Sequence, residues 1–394
     1  MTPLRIAVTG LAATYPYGGP FWDYIQYPLG LARLGHDVLY IEDAELWCYD
    51  PAAHTLVEHG GRHADWFASR VRRLAPELKD RWFFRDATGR EYGRGWEEVV
   101  RFCRRADLFL HVSASCWMRE EYYAAKTVAF IDSDPMYTQS SVPGYMEGAV
   151  DGLDRERVEM LLRHDAFFTF GENAGAEDCR IPTGLFDWKP TRQPVVLDLF
   201  HEASVPVSGR RPALTTVASW EPSEDELVVD GVAYGGKSLE FERFIELPSR
   251  VYVPLELALN GEIPVERLRE RGWRLIEPRS VSGDPWAYRG YLANSSGEWS
   301  VAKNAYVESN SGWFSCRTAC YLALGVPAIV QNTGFPIPSG EGLFAFSTLD
   351  EAAEAAERLI SDPHRHARAA YEIAAEYFDS DRVLTKLIEE ALEG

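Results

Sequence analysis

Short apolar segments alternate with helical segments along most of this chain, and this alternation limits the fold more than any other feature. The opening LRIAVTG is an apolar, β-branched run that ends at Gly10, a helical segment follows it, and DVLYIED is a second strand. DLFLHVSA, TVAFIDSD and AFFTFG repeat the pattern. Apolar strands separated by helices are typical of a doubly wound parallel sheet, so the sequence predicts an α/β fold.

The pattern restarts after a proline-rich stretch, residues 180–212, that lacks a long helical period and is typical of an interdomain connection. ALTTVASW, RVYVPLELA, GWRLIEP and PAIVQN are then predicted strands, and EPSEDELVVDGVAYGG predicts an exposed acidic hairpin. A chain of 394 residues is too long for one ordinary core. We therefore expect two Rossmann-like domains, residues 1–195 and 196–375, followed by a C-terminal helical segment, residues 376–394.

Composition argues against several classes of protein. The formal net charge of −20 repels polyanions, which disfavours duplex DNA and anionic membrane surfaces as partners. Six cysteines without a CxxC pair argue against a zinc site or a disulfide framework. The N-terminus has no basic segment followed by a long apolar core, and nowhere do 18 apolar residues run together. We therefore expect a cytoplasmic protein without a signal peptide or a membrane span.

Ligands of open α/β sheets bind where the carboxyl ends of strands lead into helices, and the loop after the first strand has this position. Here Tyr17 precedes Gly18 and Gly19 at the start of a helix. Glycine lets the backbone approach a ligand, and free helix amides favour an anion or a sugar oxygen, although a plain turn is the alternative. Aromatic residues near this edge can stack on a flat acceptor or belong to the core; they are Tyr15, Tyr17, Phe21, Trp22 and Tyr137.

Three titratable residues of the first half are candidate general bases. Asp132 and Asp134 end a strand in FIDSDPMYTQ, where a carboxylate can take a proton from an acceptor hydroxyl. Their D-x-D spacing can also hold a divalent cation, and Asp134 can simply cap a helix. His111 ends another strand, where it is a base or a satisfied core residue.

The second half offers cationic and small residues for a negatively charged ligand. Lys237 lies in AYGGKSLEF, after a Gly-Gly turn and before a helix. GVAYGGKS formally matches a P-loop, but it begins in a strand pair and no Walker-B strand follows, which disfavours an NTPase. Ser311, Gly312 and Ser315 precede the helix of SCRTACYLALG, and Arg317 in its first turn adds a cation that an anion would have to compensate. A surface ion pair is the alternative for Arg317.

These residues and the segment CYLALGVPAIVQNTGF resemble the donor-binding region of GT-B glycosyltransferases, in particular the family-4-like retaining enzymes with E-A-M-A-x-G-x-P-V-V. The resemblance implies two Rossmann-like domains facing across a cleft, with the donor bound to the second domain and C-terminal helices crossing back to the first. Aligned on Gly325 and Pro327, the two glutamates of the family's E-x7-E signature fall at Gly312 and Cys320, so both are missing. Ser311, Asn310 and Glu341 are candidate replacements.

The function implied is transfer of a sugar, of the hexosyltransferase type, from a nucleoside-diphosphate sugar to a small-molecule acceptor such as a natural product of secondary metabolism. Lys237, Arg317 and helix amides can stabilise the leaving diphosphate, so we expect no metal cofactor. Both retention and inversion stay open. The alternatives are a GT-B-fold sugar-nucleotide epimerase or phosphorylase and a noncatalytic binding protein, while the charge disfavours a nucleic-acid base as acceptor.

Overall fold

The computed structural model of the protein describes residues 2–220 and 227–393, and the first half contains one large sheet. Its strands are β1 (Arg5–Thr9), β2 (Asp37–Glu42), β3 (Cys48–Asp50), β4 (Thr55–Val57), β5 (Trp82–Arg85), β6 (Glu91–Gly93), β7 (Leu108–Val112), β8 (Thr127–Asp132), β9 (Ala166–Thr169) and β10 (Trp188–Pro190). Eight of them form a sheet in the order β10-β9-β8-β7-β1-β2-β5-β6. Neighbouring strands are parallel except at the edge, where β6 is antiparallel to β5. The remaining two, β3 and β4, form a separate hairpin.

The second half contains a six-stranded, fully parallel sheet. The strands described in this half are β11 (Arg211–Ser219), β12 (Leu227–Val229), β13 (Val232–Tyr234), β14 (Leu255–Asn260), β15 (Arg274–Leu275), β16 (Ser295–Ser300), β17 (Ala328–Gln331) and β18 (Leu343–Phe346), of which β12 and β13 lie outside the six-stranded sheet. The sheet order is β15-β14-β11-β16-β17-β18. The predicted acidic hairpin is present as β12 and β13, and its first residues, 221–226, lie outside the described residues.

Helices connect the parallel strands in both halves, as parallel pairing requires. They are α1 (Gly18–Arg33), α2 (Gly61–Leu74), α3 (Trp96–Cys103), α4 (Ser141–Met146), α5 (Gly152–Leu161), α6 (Leu197–His201), α7 (Lys237–Arg243), α8 (Val265–Glu270), α9 (Pro278–Ser282), α10 (Pro285–Ala293), α11 (Asn304–Glu308), α12 (Cys316–Ala323), α13 (Leu349–Ser361), α14 (Pro363–Tyr377) and α15 (Ser380–Leu392). In the part of the chain that the structure describes, no helix has the length and apolar character of a membrane span.

Helix α1 joins the two halves. Its residue Trp22 is fully buried and donates from Nε1 to the carbonyl of Pro285, at the start of α10 in the second half, at 3.0 Å. Trp22 also belongs to one apolar core that extends into α12 of the second half. Packed side chains along α1 therefore join the two halves.

The chain returns to the first half at its C-terminal end. Leu384, Leu387 and Ile388 of α15 pack in the core beneath β1 and β7. The two crossings lie side by side, because Val195 donates to Phe378 O at 2.7 Å and Ser380 donates to Val195 O at 2.9 Å. The predicted α/β class with two sheets and returning C-terminal helices is confirmed.

Candidate functional site

A cavity of about 350 Å³ lies where the carboxyl edges of the two sheets face each other. From the first half it is lined by Tyr17, Gly19, Pro20 and Asp23. From the second half its polar lining includes Ser219, Lys237, Asn260, Arg279, Ser282, Ser315 and Arg317. The structure thus brings together five of the residues that the sequence predicted for a ligand: Tyr17, Gly19, Lys237, Ser315 and Arg317.

Arg317 lines the cavity, but its positive charge is already matched. Its Nε donates to Oε1 of Glu298 at 2.7 Å, and its Nη1 donates to the carbonyl of Val217 at 2.8 Å. The side chain of Glu298 is fully buried on β16, and that of Arg317 is 13% exposed. The anion that compensates an arginine in the first turn of α12 is therefore Glu298, and Arg317 shapes the cavity wall instead of supplying a full guanidinium fork to a ligand.

Asp23 is a cavity residue that the sequence analysis did not single out. It lies one turn into α1 and, among the described residues that line the cavity, it is the one carboxyl group. Burial raises its pKa to about 7, and the positive charge of Arg317 opposes that shift. Asp23 can therefore exchange a proton near neutral pH, which suits a general base.

Arg279 is a second cavity residue that the sequence analysis missed. It follows the capping residue Glu277 at the start of α9, and its positive charge opposes the rise in the pKa of Tyr17 that burial causes across the cleft. Its Nη2 is buried without a hydrogen-bond partner in the described part of the protein. A guanidinium atom that is buried and unsatisfied beside a cavity is suited to an anionic ligand.

A larger groove of about 850 Å³ is lined in part by a side chain that bridges the two halves. Asp134 accepts from Lys303 Nζ at 3.1 Å and from the hydroxyl of Tyr306, so a loop of the first sheet is tied to the second half. Tyr137 lies on the groove side of this bridge, with the Lys303 ammonium 4.4 Å from its ring centre. Asp134 and Tyr137 are thus bridge and groove residues, outside the lining of the cavity.

Asp132 and His111, two of the predicted bases, lie in the interior of the first half and outside the lining of the cavity. Asp132 is fully buried, and its two carboxylate oxygens accept hydrogen bonds from Thr138 and Gln139 that shape the loop after β8. His111 is fully buried, and its Nδ1 lies 3.1 Å from Nε2 of His164. Burial lowers the pKa of both imidazoles, that of His164 to about 4. Neither predicted base faces the cavity, because both side chains point into the core of the first half.

Three predicted ligand residues of the cleft serve close packing instead. A Cβ on Gly18 would lie 2.4 Å from Cβ of Tyr288, so this glycine lets α1 approach α10. Gly312 has φ +76° and lies against Asn173, where a Cβ would come within 2.8 Å of the backbone nitrogen. Ser311 is buried, and its hydroxyl donates to a backbone carbonyl of α11 at 3.0 Å.

Glu341 lies at the opposite edge of the second sheet from the cavity. It precedes β18, whereas the cavity adjoins the carboxyl ends of the strands. Its carboxylate is half exposed and paired with Arg365. Glu341 therefore does not replace the missing glutamates of the E-x7-E signature.

No protein-family model matches the sequence, and no curated protein does. Solved glycosyltransferases share the fold over nearly their whole length. AviGT4, involved in avilamycin A biosynthesis, is 12% identical with a TM-score of 0.55, covering 100% of this chain and 99% of its own. An alpha-glucosyltransferase in complex with UDP-glucose and DNA containing an abasic site is 9% identical with a TM-score of 0.58, covering 99% and 100%. Anabaena HepE in complex with UDP-glucose is 11% identical with a TM-score of 0.54, covering 98% of each chain. This chain has the GT-B fold of these glycosyltransferases.

Proposed function

We propose that the protein is a glycosyltransferase that moves a sugar from a nucleoside-diphosphate sugar to a small-molecule acceptor. The observation that carries the proposal is the cavity between the sheets, because it combines cations and helix amides from the second half with a carboxyl group from the first. In this proposal residues 196–375 form the donor domain and residues 1–195 the acceptor domain.

The donor diphosphate would lie against the second-half wall of the cavity. Lys237 and Arg279 supply positive charge there, and the first amides of α12, which begins after Ser315, point to the same region. Cations and oriented amides stabilise the charge that develops on a leaving diphosphate, so we propose transfer without a resident metal ion.

The transfer itself would use Asp23. The acceptor hydroxyl oxygen forms a bond to the anomeric carbon while the bond from that carbon to the diphosphate oxygen breaks. The diphosphate leaves with the electron pair of that bond, and the hydroxyl proton passes to the Asp23 carboxylate. The pKa of Asp23, about 7, lets it accept this proton near neutral pH and release it to solvent afterwards.

A small molecule fits this chain better as acceptor than a nucleic acid does. The alpha-glucosyltransferase that shares the fold was solved with DNA, whereas AviGT4 belongs to the biosynthesis of a natural product. Binding to duplex DNA depends on positive charge against phosphates, and this chain has a formal net charge of −20. The charge therefore favours a small molecule over duplex DNA as the acceptor.

A thermal-shift panel with UDP, dTDP, GDP, ADP and CDP, with and without magnesium, tests the donor site. A nucleotide at about 100 times its dissociation constant should add about 2.7 kcal/mol of stability, which shifts the midpoint by a few degrees in a chain of this size. We expect one or two nucleotides to do so without magnesium. Lys237→Gln and Arg279→Gln should each raise the dissociation constant about tenfold or more, because a charge-assisted hydrogen bond is lost.

Lys126→Gln is the matched control. Lys126 precedes β8, at the opposite edge of the first sheet, and pairs with Asp107 on the surface. Its loss should leave the nucleotide shift unchanged. Equal shifts in all four proteins, or no shift with any nucleotide, would contradict the donor assignment.

A further inference from the structure

Four large apolar side chains are exposed near the carboxyl edge of the first sheet. We call them the aromatic platform; they are Leu46, Trp47, Leu56 and Trp117. Each exposes between 47% and 54% of its surface. Exposed apolar side chains are normal when scattered singly, but a group of them beside a cavity marks a binding site.

The segments that carry the two tryptophans run side by side. One follows β2 and the other follows β7, the strands that flank β1 on its two sides. The Trp117 amide donates to the carbonyl of Asp43 at 2.7 Å, and two residues further along Arg119 donates to Glu45 at 2.6 Å. Trp47 follows Glu45 by two residues, so the two tryptophans lie on adjoining loops.

Tyrosine rings connect the platform to the cavity. Tyr17 lines the cavity, and its ring centre lies 5.7 Å from that of Tyr49 on β3. Tyr49 is paired with Leu56 across the β3–β4 hairpin, and its amide donates to the carbonyl of Thr14 in the loop after β1 at 3.0 Å. An apolar wall therefore leads from the proposed site of sugar transfer outward to the platform.

The charges near the platform favour an uncharged occupant. The guanidinium of Arg119 is bound to Asp43 and Glu45, and the carboxylate of Asp50 accepts the amides of residues 52 and 53. These ionic groups are paired within the protein, and the half-exposed carboxylate of Glu45 beside the ring and aliphatic surface disfavours an anionic occupant. Flat aromatic faces and leucine side chains suit a planar apolar molecule.

We propose that the aromatic platform binds the acceptor, and that the acceptor is a planar, uncharged aromatic compound bearing a hydroxyl group. This inference rests on the proposed function in one respect: the occupant of the platform is called the acceptor because the protein is proposed to transfer a sugar. The hydroxyl would reach past Tyr49 and Tyr17 toward Asp23, while the ring system stays on the tryptophans. In this proposal the platform determines the specificity for the acceptor, and the second half determines the specificity for the donor.

Isothermal titration of the full-length protein with 1-naphthol tests the platform without any donor. We expect binding that weakens about tenfold in Trp47→Ala and in Trp117→Ala, because each variant removes one stacking face. Trp47→Leu and Trp117→Leu keep apolar bulk and should weaken binding less. Tyr252→Ala is the control, since Tyr252 is a fully exposed aromatic residue that precedes β14 at the opposite edge of the second sheet. The nucleotide shift should persist in every platform variant, which shows that each is folded.

Two kinds of result decide against the platform as proposed. No binding of 1-naphthol, or equal binding in wild type and both alanine variants, overturns the inference. Binding of maltotriose, or of a short DNA duplex with a hydroxymethyluracil base, that depends on the two tryptophans overturns the chemical class of the acceptor. Tryptophan-dependent binding of 1-naphthol without any nucleotide shift would leave the platform standing and contradict only the donor site.

Discussion

At the scale of single residues, the position of a carboxyl group decides whether it can do chemistry. Asp132 and Asp23 are both acidic residues near the carboxyl edge of the first sheet, yet hydrogen bonds from neighbouring side chains occupy Asp132. Asp23 instead lines the cavity, where burial raises its pKa to about 7. Asp132 could be selected from the sequence because it ends a strand. Asp23 could not, because it lies inside a helix.

Asp23→Asn should lower kcat by about a hundredfold or more, because the variant cannot accept the acceptor proton. In the wild type only the ionised carboxylate accepts it, so kcat/KM should rise as the pH increases through about 7. This acidic limb should disappear in Asp23→Asn, while the nucleotide shift persists. Glu341→Gln, at the opposite edge of the second sheet, is the control and should keep normal turnover. A variant profile that retains the limb would assign it to another group.

The same pKa also affects stability. The folded protein holds the Asp23 proton more tightly than an unfolded chain, in which the pKa is near 3.8. The resulting stabilisation is complete below about pH 4 and is lost as the pH rises through about 7. The asparagine variant should lack this part of the pH dependence in denaturant unfolding.

At the scale of elements, strands with apolar sequences could be predicted from the sequence, whereas the polar strand β16 could not. β7 is buried at all five positions, and LFLHV shows this directly. β16, with the sequence SSGEWS, lies between β11 and β17 in the centre of the second sheet, but it lacks the apolar pattern of a buried strand. Its polar side chains bond to residues of other elements, as when Glu298 accepts a hydrogen bond from Arg317.

The start of α1 offers a test of helix packing. A Cβ on Gly18 would lie 2.4 Å from Cβ of Tyr288 and 2.8 Å from the carbonyl of Asp284, so Gly18→Ala must push α1 away from α10. We expect a loss of about 1–3 kcal/mol in the free energy of unfolding, measured by urea denaturation. A Cβ on Gly19 would meet Tyr288 only at 3.8 Å, so Gly19→Ala should change stability by less than about 0.5 kcal/mol. Equal effects would show that the contact with α10 is unimportant.

At the scale of the whole molecule, a few polar contacts hold the two facing edges together beside the cavity. Asn173, after β9, donates from Nδ2 to the carbonyls of Asn310 and Gly334 at 3.0 Å each, and its amide donates to the carbonyl of Ser311 at 3.1 Å. These bonds join loops of the two halves. They fix the distance between the cavity walls that the proposed reaction needs.

Asn173→Ala should therefore destabilise the protein. It leaves two carbonyl groups without their donor, which costs about 1–3 kcal/mol and lowers the thermal midpoint. Asn294→Ala is the control, because the side chain of Asn294 donates to Gly290 in the helix that it follows. A smaller loss in Asn173→Ala than in Asn294→Ala would mean that this contact between the halves adds nothing.

The sequence by itself determined the two sheets, the α/β class and the edge at which a ligand binds. Apolar runs between helices can be buried only in parallel sheets, and the carboxyl ends of such strands always face one side. Tertiary structure decided which side chains at that edge are available. Arg317 forms an ion pair with Glu298, Gly18 packs against Tyr288, and Asp23 lines the cavity. Each of these outcomes depends on residues that are far apart in the chain and that only folding brings within a few ångströms.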